Sequence, residues 1–159
     1  MAIFGLDIYR GDDASTTAQK IDFVKMKAAG ALFVIVKAGQ NMFEDSLYRE
    51  HVARATAAGL ITGAYYFLSR GNTFEAQAAH FVNLLKATPV NLPPMLDFEI
   101  TLTASEAGTY RLQLKNAALM VADGVGRCGV YTSRSKWAQL ATTDAAWVAY
   151  LPYLWLAQY

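Results

Sequence analysis

Short runs of apolar, β-branched or aromatic residues recur along this chain at about 30-residue intervals, the length of one strand-plus-helix step in a parallel sheet. The runs are Ile3 to Ile8, Leu32 to Val36, Ile61 to Phe67, Met95 to Ile100, Gly129 to Tyr131 and Tyr153 to Ala157. Between them lie alanine-rich segments with helical spacing. Ile21, Val24 and Ala28 mark one stripe, Leu47, His51, Arg54 and Ala58 a mixed one, and Phe74, Ala78, Phe81 and Leu85 a third. Ala28-Ala29-Gly30, Ala57-Ala58-Gly59 and Ala122-Asp123-Gly124 place glycine where a helix can end in the left-handed conformation, and a strand candidate follows each. The alternation predicts an α/β fold built on a parallel sheet, since parallel neighbours need a helical crossover. An eight-unit barrel takes about 250 residues and economical ones about 200. A 159-residue chain therefore has room for about six strands, a barrel-like (β/α) sheet left incomplete. The last candidate strand runs into the final residues, so its apolar edge is expected to be bare.

Composition narrows the classes of partner. A chain that is 54% hydrophobic and 17% charged fits one folded domain over residues 1–159. Its formal net charge of +1 supplies no basic stripe for nucleic acid. Cys128 is the single cysteine, so no internal disulfide forms, and a packed thiol is expected. The first residues lack a basic segment followed by a long apolar run, and no window approaches a membrane span of about 18 apolar residues. The chain is thus expected to start out cytoplasmic, with no signal peptide.

Chemistry concentrates on Leu96-Asp97-Phe98-Glu99, which follows Pro93-Pro94 and puts two carboxylates on an apolar strand. Residues two apart on a strand share a face, with Cβ atoms roughly 6 to 7 Å apart. Two crowded acids repel, so one holds its proton to higher pH. Cleavage of a glycosidic bond needs such a pair, one acid to protonate the leaving oxygen and one carboxylate to support the positive centre. The plain reading of an isolated Asp-x-Glu is an exposed acidic strand end. Working residues of parallel α/β folds gather at the carboxyl ends of strands, which is where Asp7, Asp97 and Glu99 fall. Tyr9, Tyr65, Tyr66, Phe67, Tyr131, Trp155 and Tyr159 lie on or just after strand candidates. Aromatic rings stack on sugar C–H faces and phenols bond sugar hydroxyls, but alternation sends Tyr65 and Tyr66 to opposite faces, so about half of these can line a site. His51 and His80 stand alone on separate helices, where an exposed or half-buried histidine is expected and no metal site. Gly124-Val125-Gly126 precedes a strand instead of joining a strand to a helix, which excludes a phosphate loop. Ser133 and Ser135 lack the glycines of a nucleophile elbow.

The chain resembles the glycoside hydrolase family 25 muramidases, the lysozymes of the Chalaropsis type. The match is carried by Gly5-Leu6-Asp7-Ile8, Phe33-Val34-Ile35-Val36-Lys37-Ala38, Gly63-Ala64-Tyr65-Tyr66-Phe67, Pro94-Met95-Leu96-Asp97-Phe98-Glu99, Gly129-Val130-Tyr131-Thr132-Ser133 and Leu154-Trp155-Leu156-Ala157-Gln158-Tyr159, in order over nearly the whole chain. The resemblance implies an irregular α/β barrel that cleaves the β-1,4 bond after N-acetylmuramic acid in peptidoglycan glycan strands, without a cofactor. It implies Glu99 as general acid and Asp97 as the group that stabilises the reacting centre, directly or by orienting the substrate's acetamido oxygen. Asp7 completes the acidic floor, and Tyr65, Tyr9, Tyr131 and Trp155 contact substrate. An optimum below neutral pH is expected, with Glu99 protonated and Asp97 ionised. In a phage or prophage endolysin the same activity would reach the wall after release.

The chain departs from the family at Tyr66, where many members have histidine, and at Gly39-Gln40, where many have Thr-Glu. The family also continues with two further strands and a late aspartate, so the chain is expected to be truncated at its C-terminus. Two other readings follow from that. One is a non-catalytic glycan-binding module, and the other an oligomer, such as a homodimer, paired through the open sheet edge.

Overall fold

The computed structural model describes residues 3–13, 20–140 and 153–157. The elements run β1 (Gly5–Ile8), a 3-10 turn (Arg10–Asp13), α1 (Phe23–Ala28), β2 (Phe33–Gln40), β3 (Phe43–Glu44), α2 (Tyr48–Ala57), β4 (Ile61–Phe67), α3 (Phe74–Ala87), β5 (Met95–Phe98), α4 (Ala104–Val125), β6 (Gly129–Ser133), α5 (Arg134–Leu140) and β7 (Tyr153–Ala157). Six strands pair in parallel in the order β1-β2-β4-β5-β6-β7, and they curl into a half-barrel. The short β3, which the sequence reading did not anticipate, folds back antiparallel on β2.

Local chemistry explains the boundaries. Asp22 accepts the Lys25 N–H at 2.9 Å at the start of α1, and Thr73 accepts the Ala76 N–H at 3.2 Å at the start of α3. Thr103 donates its own N–H to Glu106 Oε2 at 2.9 Å, half of a capping box that opens the 22-residue α4. Gly30 and Gly59 take positive φ after α1 and α2, as anticipated. Gly124 does not end α4. That turn is made by Gly126 at φ 83°, while Gly124 lies within α4, where a Cβ would come within 2.7 Å of Val82 Cγ1 of α3. Its small size serves close helix contact.

The strands present their two faces to different surroundings. Val34, Val36, Ala64, Tyr66, Leu96, Phe98 and Val130 are buried against the helices, where Phe74, Ala78, Phe81, Leu114, Ala117 and Val121 complete the core. Cys128 is buried there too, and burial pushes its thiol up to about 12, so it packs as an unreactive group. β7 is last in the pairing order, and its Tyr153, Leu154, Trp155 and Leu156 are each 37–43% exposed. Among the described residues no helix is long and apolar enough to cross a membrane.

His51 corrects the expectation of an exposed or half-buried histidine, because it is wholly buried. Its Nε2 lies 3.1 Å from Asp13 Oδ2, which also accepts from Arg54 Nη1 at 2.9 Å, while Asp13 Oδ1 accepts the Ile21 N–H at 2.7 Å. Desolvation alone would raise the Asp13 carboxyl, but these donors outweigh it and hold it below the ordinary range. Asp13 thereby ties the turn after β1 to α2. Removing one partner of a buried charged set costs roughly 3 kcal/mol, so Asp13→Ala should lower urea-unfolding stability by about that amount at pH 7. Because the native carboxyl is lowered, this stabilisation is present above its unfolded value and is lost as pH falls through the native one. A change below about 0.5 kcal/mol would show that the cluster contributes nothing net.

Candidate active site

Parallel pairing puts residues from separate strands at one level. Lys37 stands opposite Tyr65, and Tyr65 opposite Met95. One step further, Phe67, Asp97, Tyr131 and Trp155 form a row across β4, β5, β6 and β7. The row lies near the carboxyl ends of the strands, so the side chains on the face away from the helices converge at one mouth.

A cavity of about 360 Å³ opens there, lined by Asp7, Tyr9, Lys37, Tyr65, Phe67, Met95, Asp97, Glu99, Tyr131 and Trp155. All seven residues singled out from the sequence are in this lining. Tyr66 points the other way into the core, where its hydroxyl meets the Asn41 carbonyl and His80 Nδ1, the latter at 2.7 Å. Tyr159 lies outside the described residues. The strand carrying the acids is shorter than anticipated, since β5 ends at Phe98, the last residue paired with β6. Glu99 therefore follows the strand instead of extending it. Asp97 is 7% exposed, whereas Glu99 is open to solvent.

That difference in burial sets the electrostatics. Asp97 is pushed up to about 8, first by burial, then by the charge of Glu99 and more weakly by Asp7, with Lys37 opposing. In the free protein this favours the protonated form of Asp97 at neutral pH, whereas the sequence reading had Asp97 ionised. Its Oδ1 is buried and has no hydrogen-bond partner among the described residues. An orphaned acceptor in a cleft floor is an open position for a donor from a ligand. The Tyr65 phenol is raised by burial and by the nearby acids, Asp97 foremost, so it remains a neutral hydrogen-bond donor. Tyr131 and Trp155 meet edge to face with centroids 5.0 Å apart and form one aromatic wall.

Lys37 and Met95 were not among the predicted site residues, and Phe67 joins Tyr9, Tyr65, Tyr131 and Trp155, so five of the seven named aromatics line the cavity, more than the half expected. Lys37 is half-buried, its ammonium lies 5.1 Å from the Phe67 ring centroid and 5.9 Å from that of Tyr9, and it donates to Gln40 Oε1 at 2.8 Å. The strand register explains this reach. Residues three apart face opposite ways on a regular strand, but the pairing of β2 with β4 slips between Lys37 and Gly39, and this bulge returns Gln40 to the side of Lys37. A lysine inside an otherwise apolar strand was the available signal. Among the described residues no group of three His, Cys, Asp or Glu side chains is placed to hold a metal ion.

The family model described as Glycosyl hydrolases family 25 matches residues 12–159. An autolytic lysozyme of Clostridium acetobutylicum is 30% identical over 156 residues, covering 98% of this chain and 44% of that protein. The chain thus spans less than half the length of this curated relative. Among solved structures, a muramidase from Trichobolus zukalii superposes with a TM-score of 0.80 at 25% identity, covering 99% of this chain and 78% of its own. A bacterial lysozyme from Streptomyces coelicolor shares the fold with a TM-score of 0.81 at 21% identity, covering 99% and 75%.

Proposed function

The chain belongs to glycosyl hydrolases family 25, and from that membership and the acid-floored cleft we propose that it is a peptidoglycan muramidase that cleaves the β-1,4 bond after N-acetylmuramic acid. One observation carries the reading: two carboxylates of unequal burial, Asp97 and Glu99, share the cavity with Asp7, Tyr65 and the Tyr131–Trp155 wall. Unequal environments separate the proton affinities of paired acids and so assign their roles.

In the free protein burial and the neighbouring acids favour the protonated form of Asp97. A sugar seated on the aromatic wall brings its acetamido N–H toward the orphaned Asp97 Oδ1, and that hydrogen bond favours the ionised carboxylate. Glu99 stands at the solvent-facing side, where a leaving oxygen can be reached. Glu99 gives its proton to the glycosidic oxygen as the C1–O bond breaks. The positive charge at C1 is met by Asp97, directly or through the acetamido oxygen that Asp97 orients, and the residues in hand leave both routes open. Water adds its hydroxyl to C1 and returns a proton to Glu99, which is then ready to act as the acid again. Asp7 and Tyr65 bond the sugar or the incoming water.

The reading is tested by release of new reducing ends from purified peptidoglycan by this chain. Release is the expected result; a folded protein that binds glycan and releases none would favour the non-catalytic module. The pH profile is a second check. Because kcat/KM reports the free enzyme, and the acid pair must keep one proton, kcat/KM should fall above about pH 8, where Asp97 ionises. A profile that rises through pH 9 would contradict the shared proton.

A further inference from the structure

A second cavity, of about 530 Å³, adjoins the acid floor and shares Tyr9 and Lys37 with it. Its other lining residues include Arg10, Gln40, Phe43, Glu44 and Asp45. The two acids on its wall are already engaged. Glu44 is held by Arg49 Nε at 2.7 Å and Nη2 at 3.3 Å, and Asp45 accepts the backbone N–H of Arg10 at 3.2 Å and of Leu47 at 3.0 Å. The two cations are not neutralised in this way. Lys37 spends one donor on the uncharged Gln40 and keeps two more. The Arg10 guanidinium is exposed and has no hydrogen bond or ion pair among the described residues. Phe43, 73% exposed on β3, and Tyr9 supply apolar faces beside these donors.

We propose that this second cavity is a subsite for a carboxylate carried by the glycan, bound by Arg10 and Lys37 beside a sugar held over the acid floor. The proposal rests on the muramidase reading and deepens it. Arg10 offers a planar fork suited to a carboxylate, and Lys37 a point charge at the boundary of the two cavities. Glu44 and Asp45 nearby disfavour a dianion, so a monoanion fits better than a phosphate. Two sources share this chemistry, the lactyl carboxylate of peptide-free muramic acid and a carboxylate on the attached peptide.

Calorimetric binding of three soluble fragments to the full chain tests the subsite: a muramic acid disaccharide bearing its peptide, the same disaccharide without peptide, and an N-acetylglucosamine trimer with no carboxylate. The trimer is expected to bind at least about tenfold more weakly than the better carboxylate-bearing fragment, and Arg10→Gln to remove about that factor. Raised salt should weaken the carboxylate-bearing fragment selectively. Arg10→Gln retains the backbone N–H that Asp45 uses, and its circular dichroism should match wild type. The fragment that binds more tightly identifies the source. Equal binding of all three, unchanged by Arg10→Gln, would overturn the subsite while leaving the muramidase reading intact. Neither binding nor cleavage of any muramic acid fragment would remove both.

Discussion

Glu99→Gln is expected to lower reducing-end release by about a thousandfold, within the range of 10² to 10⁴ that general acid catalysis contributes, while the protein folds normally. The amide keeps the size and polarity of the side chain but has no proton to give to the leaving oxygen. Little structural cost follows, because Glu99 is exposed and makes no hydrogen bond or ion pair among the described residues. Substitutions at such positions usually change stability by less than about 0.5 kcal/mol. One further consequence separates a catalytic from a structural role. The Glu99 charge is the second cause of the raised Asp97 carboxyl, so the variant should ionise Asp97 at lower pH than wild type does. A spectroscopic titration of Asp97, by carbon-detected magnetic resonance of the carboxyl, would read that shift without any need for activity. Lysis retained in Glu99→Gln would remove the acid assignment.

Asp97→Asn is expected to do two things that a structural acid would not do together: reduce turnover at least about a hundredfold and make the protein more stable. The sign follows from proton linkage. The native carboxyl titrates at about 8 and an ordinary aspartate at 3.8, so the native state holds a proton that the unfolded chain has released. Stability contributed by this position is therefore highest at low pH, declines as pH rises from about 4 to about 8, and is flat beyond. Asparagine cannot ionise and escapes that decline. Each tenfold change in proton affinity is worth about 1.4 kcal/mol, which sets a ceiling of about 6 kcal/mol for the gain above pH 8. Urea unfolding of both proteins at pH 4 and pH 8.5 measures it. The difference should be small at the acid end and large at the alkaline end. A gap that is equal at both ends, or a less stable variant at pH 8.5, would mean that Asp97 is not held neutral in the native state.

The open mouth gives these residues their working conditions. Trp155 sits on β7, whose side chains are 37–43% exposed, and pairs with Tyr131 on the next strand. Half of the acid pair is thus screened by protein while the other half faces solvent. That asymmetry is what the proposed sharing of one proton between Asp97 and Glu99 relies on.

Sequence by itself determined the α/β alternation, the parallel pairing and the level at which the acids lie, because hydrophobic period and strand register follow from backbone geometry that every chain shares. Asp7, Asp97, Glu99 and the four aromatics were legible for the same reason: residues at the ends of parallel strands meet whatever the remaining sequence. Alternation also separated Tyr65 from Tyr66 correctly. Tertiary structure alone decided that burial raises the Asp97 carboxyl, since that depends on how deeply it is covered: Asp97 is buried within the ladder, whereas Glu99, two residues on, lies beyond its last pair at Phe98. It also decided the buried Asp13–His51–Arg54 set, which spans 41 residues of sequence and reads there as three unrelated polar positions. The meeting of Lys37 with Gln40 depended on a one-residue slip in strand pairing that no periodicity announces. Gly124 and Gly126 differ in role only because Val82 of another helix lies against the first of them. Local period is written in neighbouring residues, whereas charge, burial and close contact are set by groups that only folding brings together.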